Sequence, residues 1–241
     1  MKKSRFNALF RAYVRDHLSP TPGEREFVSD VYESVQDVIG AQNSLQIGSY
    51  PRFTAISPLH DLDVLFILGR WNPSQHDPAQ ALAQLEAQLT ASYENPTRYE
   101  ARISRQTHSV TIKFLEGETE VFAVDIVPAY VHGTNSYGDD MYVVPEIAVK
   151  SRGERRQVRE AVARGERQMA WIPSDPRGYI TAATALNTAN GDFRKAVKFA
   201  KGWRSSCKTA DDDFPLKSFH LEQAITAWVS ANPGAEIFDI V

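Results

Sequence analysis

A chain of 241 residues, 42% of them hydrophobic, can bury a substantial core in one large domain or two closely joined lobes. Its net charge of −3 argues against wholesale coating of nucleic acid, and no apolar run approaches membrane-spanning length. The single cysteine, Cys207, excludes an internal disulfide and points to a reducing, cytoplasmic setting, while Arg11, Arg15 and Asp16 interrupt any signal-peptide core.

The first forty residues read as helical. Thr21-Pro22-Gly23-Glu24 has the capping-box pattern, with proline at the first helical position, and Phe27, Val31, Val35 and Val38 follow at helical spacing. A short strand, 45–47, runs into Gly48-Ser49, and 61–68 is the next strand. Asp77-Pro78 starts a helix to about Tyr93, with Leu82, Leu85 and Leu89 on its face. Three strands are expected at 98–104, 109–115 and 120–127, the second alternating Val110, Ile112 and Phe114 on one face. Residues 131–140 read as a polar loop, and a charged helix spans about 153–169. Helices are expected at 177–189, 192–207 and 215–231. This order predicts an α+β fold, with a mixed-sheet lobe (1–170, including an N-terminal bridging helix) packed on a helical lobe (171–241).

The stretch "QIGSYPRFTAISPLHDLDVLFIL" (46–68) places two acids at the mouth of an otherwise apolar strand. Asp61 and Asp63 share one strand face, roughly 6.6 Å apart, while Leu62, Val64 and Phe66 point to the other. Like charges so placed need a cation between them, and Mg²⁺ takes a few carboxylates plus substrate phosphates. A third acid, Asp125, stands alone in the apolar run "EVFAVDIVPAY". An unpaired carboxylate buried there would cost about 3 kcal/mol or more. Beside the first strand it would complete a three-carboxylate site able to hold two metals roughly 3.5–4 Å apart, suited to in-line phosphoryl transfer. Gly48-Ser49 adds a close backbone approach and a hydroxyl for phosphate oxygens.

The pattern G-S-x₁₁-D-x-D with a later "VDIVPA" strand resembles the nucleotidyltransferases of the DNA polymerase β superfamily. The fuller string "GSYPRFTAISPLHDLDV", with "WIPSDPRGY" (171–179), "VKFAKGWR" (197–204) and "LKSFHLE" (216–222), is most similar to the bacterial CD-NTases related to cyclic GMP-AMP synthase. The resemblance spans most of 44–231. It implies a polymerase-β-like catalytic lobe with a C-terminal helical nucleotide-binding lobe. Asp61, Asp63 and Asp125 would hold two Mg²⁺ ions, with Mn²⁺ as a substitute, and Asp125 would take the acceptor's proton. Gly48 and Ser49 would hold the donor phosphates, joined by Lys201 and by Ser218 at the start of the "SFHLE" helix. On its own, Lys201 reads as a solvated helix-face lysine and Ser218 as a helix N-cap. Tyr130 and Tyr179 could face a base but read more simply as packing residues.

The expected activity is Mg²⁺-dependent condensation of ribonucleoside triphosphates (ATP, with GTP or a pyrimidine triphosphate as partner) into a cyclic di- or trinucleotide. Pyrophosphate leaves, and the messenger serves antiphage signalling through a separate effector. Two other functions compete: an RNA-directed transferase of the CCA-adding or oligoadenylate synthetase kind, and a silent nucleotide-binding module. A nucleic-acid partner is left open. The basic segment 150–167 has interspersed acids and no aromatics, which favours a solvated helix. Relatives often continue with further helices beyond the 215–231 helix, which bears on the acceptor pocket.

Overall fold

The structure is a computed structural model that describes residues 2–72, 74, 76–146 and 169–241. The chain divides into two compact units, each assembled from separated segments. The first comprises 1–25, 49–59 and 179–241, the second 26–48 and 60–178. This differs from one cut after residue 170.

The second unit is built on a seven-stranded mixed sheet: β1 (Ser44–Ile47), β2 (Asp61–Arg70), β3 (Glu100–Arg105), β4 (Val110–Glu116), β5 (Thr119–Thr134), β6 (Asp140–Glu146) and β7 (Ala170–Ser174). Five strands run in the order β1-β2-β5-β4-β3; β6 pairs β5, and β7 pairs β6. Among the described residues, only β2 and β5 pair in parallel; the other ladders are antiparallel. The alternation in β4 buries Val110, Ile112 and Phe114 completely. Phe27, on the helix α2 (Pro22–Ile39), meets Phe114 and Phe122 edge-on at 6.1 and 5.1 Å. Helix α3 (Pro78–Ser92) packs on β3, β4 and β5 through a buried face that includes Leu82, Leu85 and Leu89. Its start is as expected: Pro78 opens the first turn, and the Asp77 carboxylate accepts from the Gln80 amide at 2.8 Å.

One expectation is corrected. The loop expected at 131–140 is mostly strand, because β5 continues to Thr134 and returns through Asn135–Asp139 into β6. The apolar alternation fades there as the strand end emerges into solvent, while its backbone pairing persists. Strand β7 was not expected; it is short and contains Pro173. The charged segment expected as a helix from Gly153 falls outside the described residues.

The first unit holds α1 (Lys2–Tyr13), a π-turn at Val14–Leu18, and the opening of α2. It also holds the segment 49–59, most of α4 (Pro176–Ala189), α5 (Phe193–Ala210), α6 (Ser218–Ala231) and the short α7 (Ile237–Ile240). Phe193, Val197 and Ala200 of α5 meet Ala183, Ile225 and Val229 in one core cluster; Val14, Leu18, Ala196 and Ile237 form another. The expected capping box is present, with Thr21 N–H donating to Glu24 at 2.7 Å and Glu24 N–H to Thr21 Oγ1 at 3.2 Å. The same carboxylate accepts from Ser57 Oγ and Leu59 N–H, pinning the 49–59 segment. Asp192 opens α5 without capping it. Its carboxylate turns instead to a bidentate Arg11 and to the Ile237 amide.

Candidate active site

The three acids expected to act together lie on one face of the parallel pair β2 and β5. Asp63 is the register partner of Asp125, and Asp61 precedes it by two residues on the same face. Neighbouring strands stand about 4.8 Å apart, so Asp63 and Asp125 have adjacent backbones. Leu62 and Val64, the alternate residues of β2, are 1% and 0% exposed and anchor the strand beneath the acids. Asp61 is exposed at the strand mouth; Asp63 and Asp125 are half-buried.

Their carboxylates lean apart. The Asp125 Oδ1 accepts from Thr111 Oγ1, its register partner on β4, and from Ser109 Oγ at 3.3 Å. The Asp63 carboxylate lies instead against Gly48, at the end of β1. A Cβ placed on that glycine would stand 1.9 Å from Asp63 Oδ2, and the Gly48 φ of 73° is itself in the left-handed region. Gly48 is therefore required twice, for its backbone conformation and for room beside the acid. Among the described residues, no three His, Cys, Asp or Glu side chains are gathered into a ready metal cage. The shared face of Asp61, Asp63 and Asp125 is where carboxylates of this sheet could hold a hard divalent cation.

Thr111 and Ser109 escaped the sequence reading. Their signal was the alternation in "SVTIKF", where two hydroxyls share the face opposite Val110 and Ile112. Both are buried, at 4% and 1% exposure.

In the first unit, Ser49 follows Gly48 directly in the chain, and its carbonyl accepts from the Thr54 amide at 3.0 Å. Ser218 is the first residue of α6; the cap position belongs to Lys217, so the N-cap reading of Ser218 is shifted by one. Lys201 is not a solvated helix-face lysine. It is 6% exposed, paired with Glu222 at 2.8 Å and bonded to the Thr54 carbonyl at 3.1 Å. Glu222 is also gripped by Arg52 at 2.6 Å and by Thr54 Oγ1. Thus one carboxylate serves two cations and a hydroxyl, all buried. Burial alone would raise the Glu222 pKa; the Arg52 hydrogen bond and the charges of Lys201 and Arg52 outweigh it and hold the group below the usual carboxylate range.

Lys198, one turn before Lys201, was not expected. Burial pushes its ammonium down to about 8, with Arg25, Arg194 and Lys201 adding repulsion. Tyr179 and Phe219, 41% and 42% exposed, form an edge-on pair at 5.5 Å. Tyr130 is a packing residue, stacked 3.8 Å from His76 beside Trp71 and Trp171.

No protein-family model and no curated protein matches the chain. Solved structures do. The CdnC:HORMA-deltaN complex of E. coli MS115-1 aligns over 96% of this chain and 66% of its own, with TM-score 0.62 and 18% identity. The CdnC structure with ATP from the same strain aligns over 96% and 67%, with TM-score 0.61 and 18% identity. The Rhodothermus marinus CdnE c-UMP-AMP synthase, solved with Apcpp and Upnpp, aligns over 93% and 76%, with TM-score 0.58 and 13% identity. The chain spans about two thirds of the length of the CdnC structures. It has the α+β fold of these bacterial CdnC and CdnE structures.

Proposed function

We propose that the chain is a metal-dependent nucleotidyltransferase that joins nucleoside triphosphates into a short cyclic oligonucleotide and releases pyrophosphate. The observation that carries this reading is the register of Asp63 against Asp125, with Asp61 on the same face, in a fold shared with a c-UMP-AMP synthase. Asp61, Asp63 and Asp125 are the residues that would hold two Mg²⁺ ions, or Mn²⁺ in their place. Bound there, such ions offset charge on the triphosphate and make the acceptor hydroxyl more acidic. Asp125, oriented by Thr111 and Ser109, takes the acceptor's proton on its free oxygen. The acceptor oxygen then bonds to the α-phosphorus as the bond to the departing diphosphate breaks. Gly48 keeps the chain close to Asp63, and Ser49 and Ser218 bind phosphate, while Lys201, buried against Glu222 and Thr54, holds the 49–59 turn. Structures of this fold solved with ATP, or with Apcpp and Upnpp, support nucleoside triphosphates as substrates. The sequence resemblance extends the reading to an antiphage messenger sensed by a separate effector.

The test is incubation with Mg²⁺ and labelled triphosphates, singly and in pairs, followed by phosphatase. Phosphatase-resistant products that disappear in Asp61→Asn and Asp63→Asn support the reading. Label transferred to added tRNA, without a small product, moves the activity to RNA ends. Nucleotide binding without turnover leaves a silent module.

A further inference from the structure

Phe53 breaks two local rules at once. Its φ of 60° lies in the left-handed region, alone among the described non-glycine residues, where Cβ crowds the following carbonyl. At 64% exposure it is also the most exposed of the described large apolar side chains. Its neighbours do not let the turn relax. Arg52 and Thr54, on either side, are 7% and 0% exposed and both are tied to Glu222. The ring is therefore held out rigidly, and backbone conformations fixed in this way cluster at ligand sites.

A cation meets the ring. The Arg194 guanidinium stands 4.8 Å from its centroid. Arg194 is short of partners: Nη2 donates to Thr184 Oγ1 at 3.1 Å, but Nε is buried without one among the described residues. One turn further along α5, Lys198 donates to Ser19 Oγ at 3.3 Å, and the charged groups that shift it, Arg25, Arg194 and Lys201, are all cations. An open aromatic face beside a row of cations has the chemistry of a base followed by its phosphates. The step from Arg194 to Lys198 is one helical turn, about 5.4 Å, within the reach of a single nucleotide.

We propose that Phe53, Arg194 and Lys198 form a nucleotide-binding site, with the base stacked on the open face of Phe53 and the phosphates on Lys198. The site uses neither the three acids nor Ser49 and Ser218, so it stands or falls apart from the proposed catalysis.

Calorimetric titration of the full chain with ATP and with tripolyphosphate, both in EDTA, tests it. ATP should bind more tightly than tripolyphosphate. Phe53→Gly suits the backbone at that position, so it should raise the melting temperature. It should also weaken ATP by about tenfold, the size of one base–aromatic stack, and leave tripolyphosphate unchanged. Phe53→Trp should keep ATP affinity, and Lys198→Ala should weaken both ligands. ATP affinity unchanged in Phe53→Gly, or ATP and tripolyphosphate binding equally, overturns the proposal.

Discussion

The acid face of β2 and β5 and the buried quartet Arg52–Thr54–Lys201–Glu222 handle charge in opposite ways. On the acid face, three carboxylates occupy exposed or half-buried strand positions, and two of them lean toward different neighbours. In the quartet every residue is at most 7% exposed, and one carboxylate is shared by two cations. The first arrangement leaves the carboxylates room to turn toward a cation. The second fixes a turn, because moving any member strands a buried charge. Similar residue types thus occupy open strand positions in one region and a closed, mutually paired cluster in the other.

Substitutions can break this contrast. Asp61→Asn and Asp63→Asn should cut turnover by a factor on the order of 10³ or more, with little change in melting temperature, since neither acid is fully buried. Glu222→Ala should do the reverse in kind. Leaving Arg52 and Lys201 buried beside a void should cost about 3–5 kcal/mol in chemical denaturation. If Glu222→Ala folds with near-normal stability, the quartet is not the architectural element described here. Gly48→Ala joins the two regimes, because the added methyl collides with the Asp63 carboxylate at a left-handed backbone position. It should cost about 1–3 kcal/mol and lower activity together. Thr111→Val removes a donor to Asp125 while keeping shape, and should lower kcat by about tenfold with stability within about 1 kcal/mol.

The smallest effects are those of pH. Glu222 has a depressed folded pKa, so its stabilisation is present above the unfolded value and is lost as pH falls through the folded one. Acid titration of Glu222→Gln should show a shallower loss of stability than the parent. Lys198 is the opposite case of a depressed base. The fold strains its charged form, so stability should rise as pH increases from about 8 toward the unfolded lysine value. Phosphate binding should weaken over the same range, because the neutral amine no longer attracts the anion from beside Arg25, Arg194 and Lys201. ATP affinity that stays flat from pH 7 to 9 would show that Lys198 does not meet phosphate.

The acid face was legible because strand periodicity is local. Asp61-Leu62-Asp63 and Val124-Asp125-Ile126 declare their faces within three residues each, and their pairing needs only one parallel ladder. The quartet was not legible, because Arg52 and Glu222 are separated by 170 positions and Thr54 and Lys201 by 147. Nothing near Lys201 in the sequence distinguishes a solvated lysine from a buried one. Phe53 was hidden for another reason: its left-handed φ is imposed by the locked residues on either side of it, not by any preference of phenylalanine. The strand at 128–134 was lost where polar residues ride on a ladder whose backbone does the work.

Because the first unit joins segments far apart in the chain, its assembly has an order in time. Asn7 accepts a hydrogen bond from the Phe238 amide across 231 positions, and Val14 and Leu18 share a cluster with Ile237. During synthesis the sheet unit has its full sequence once residue 178 has left the ribosome. The N-terminal helix must wait for α7, and loop closure over such a span is slow. The turn that carries Phe53 therefore acquires its fixed shape only after Lys201 and Glu222 have been made.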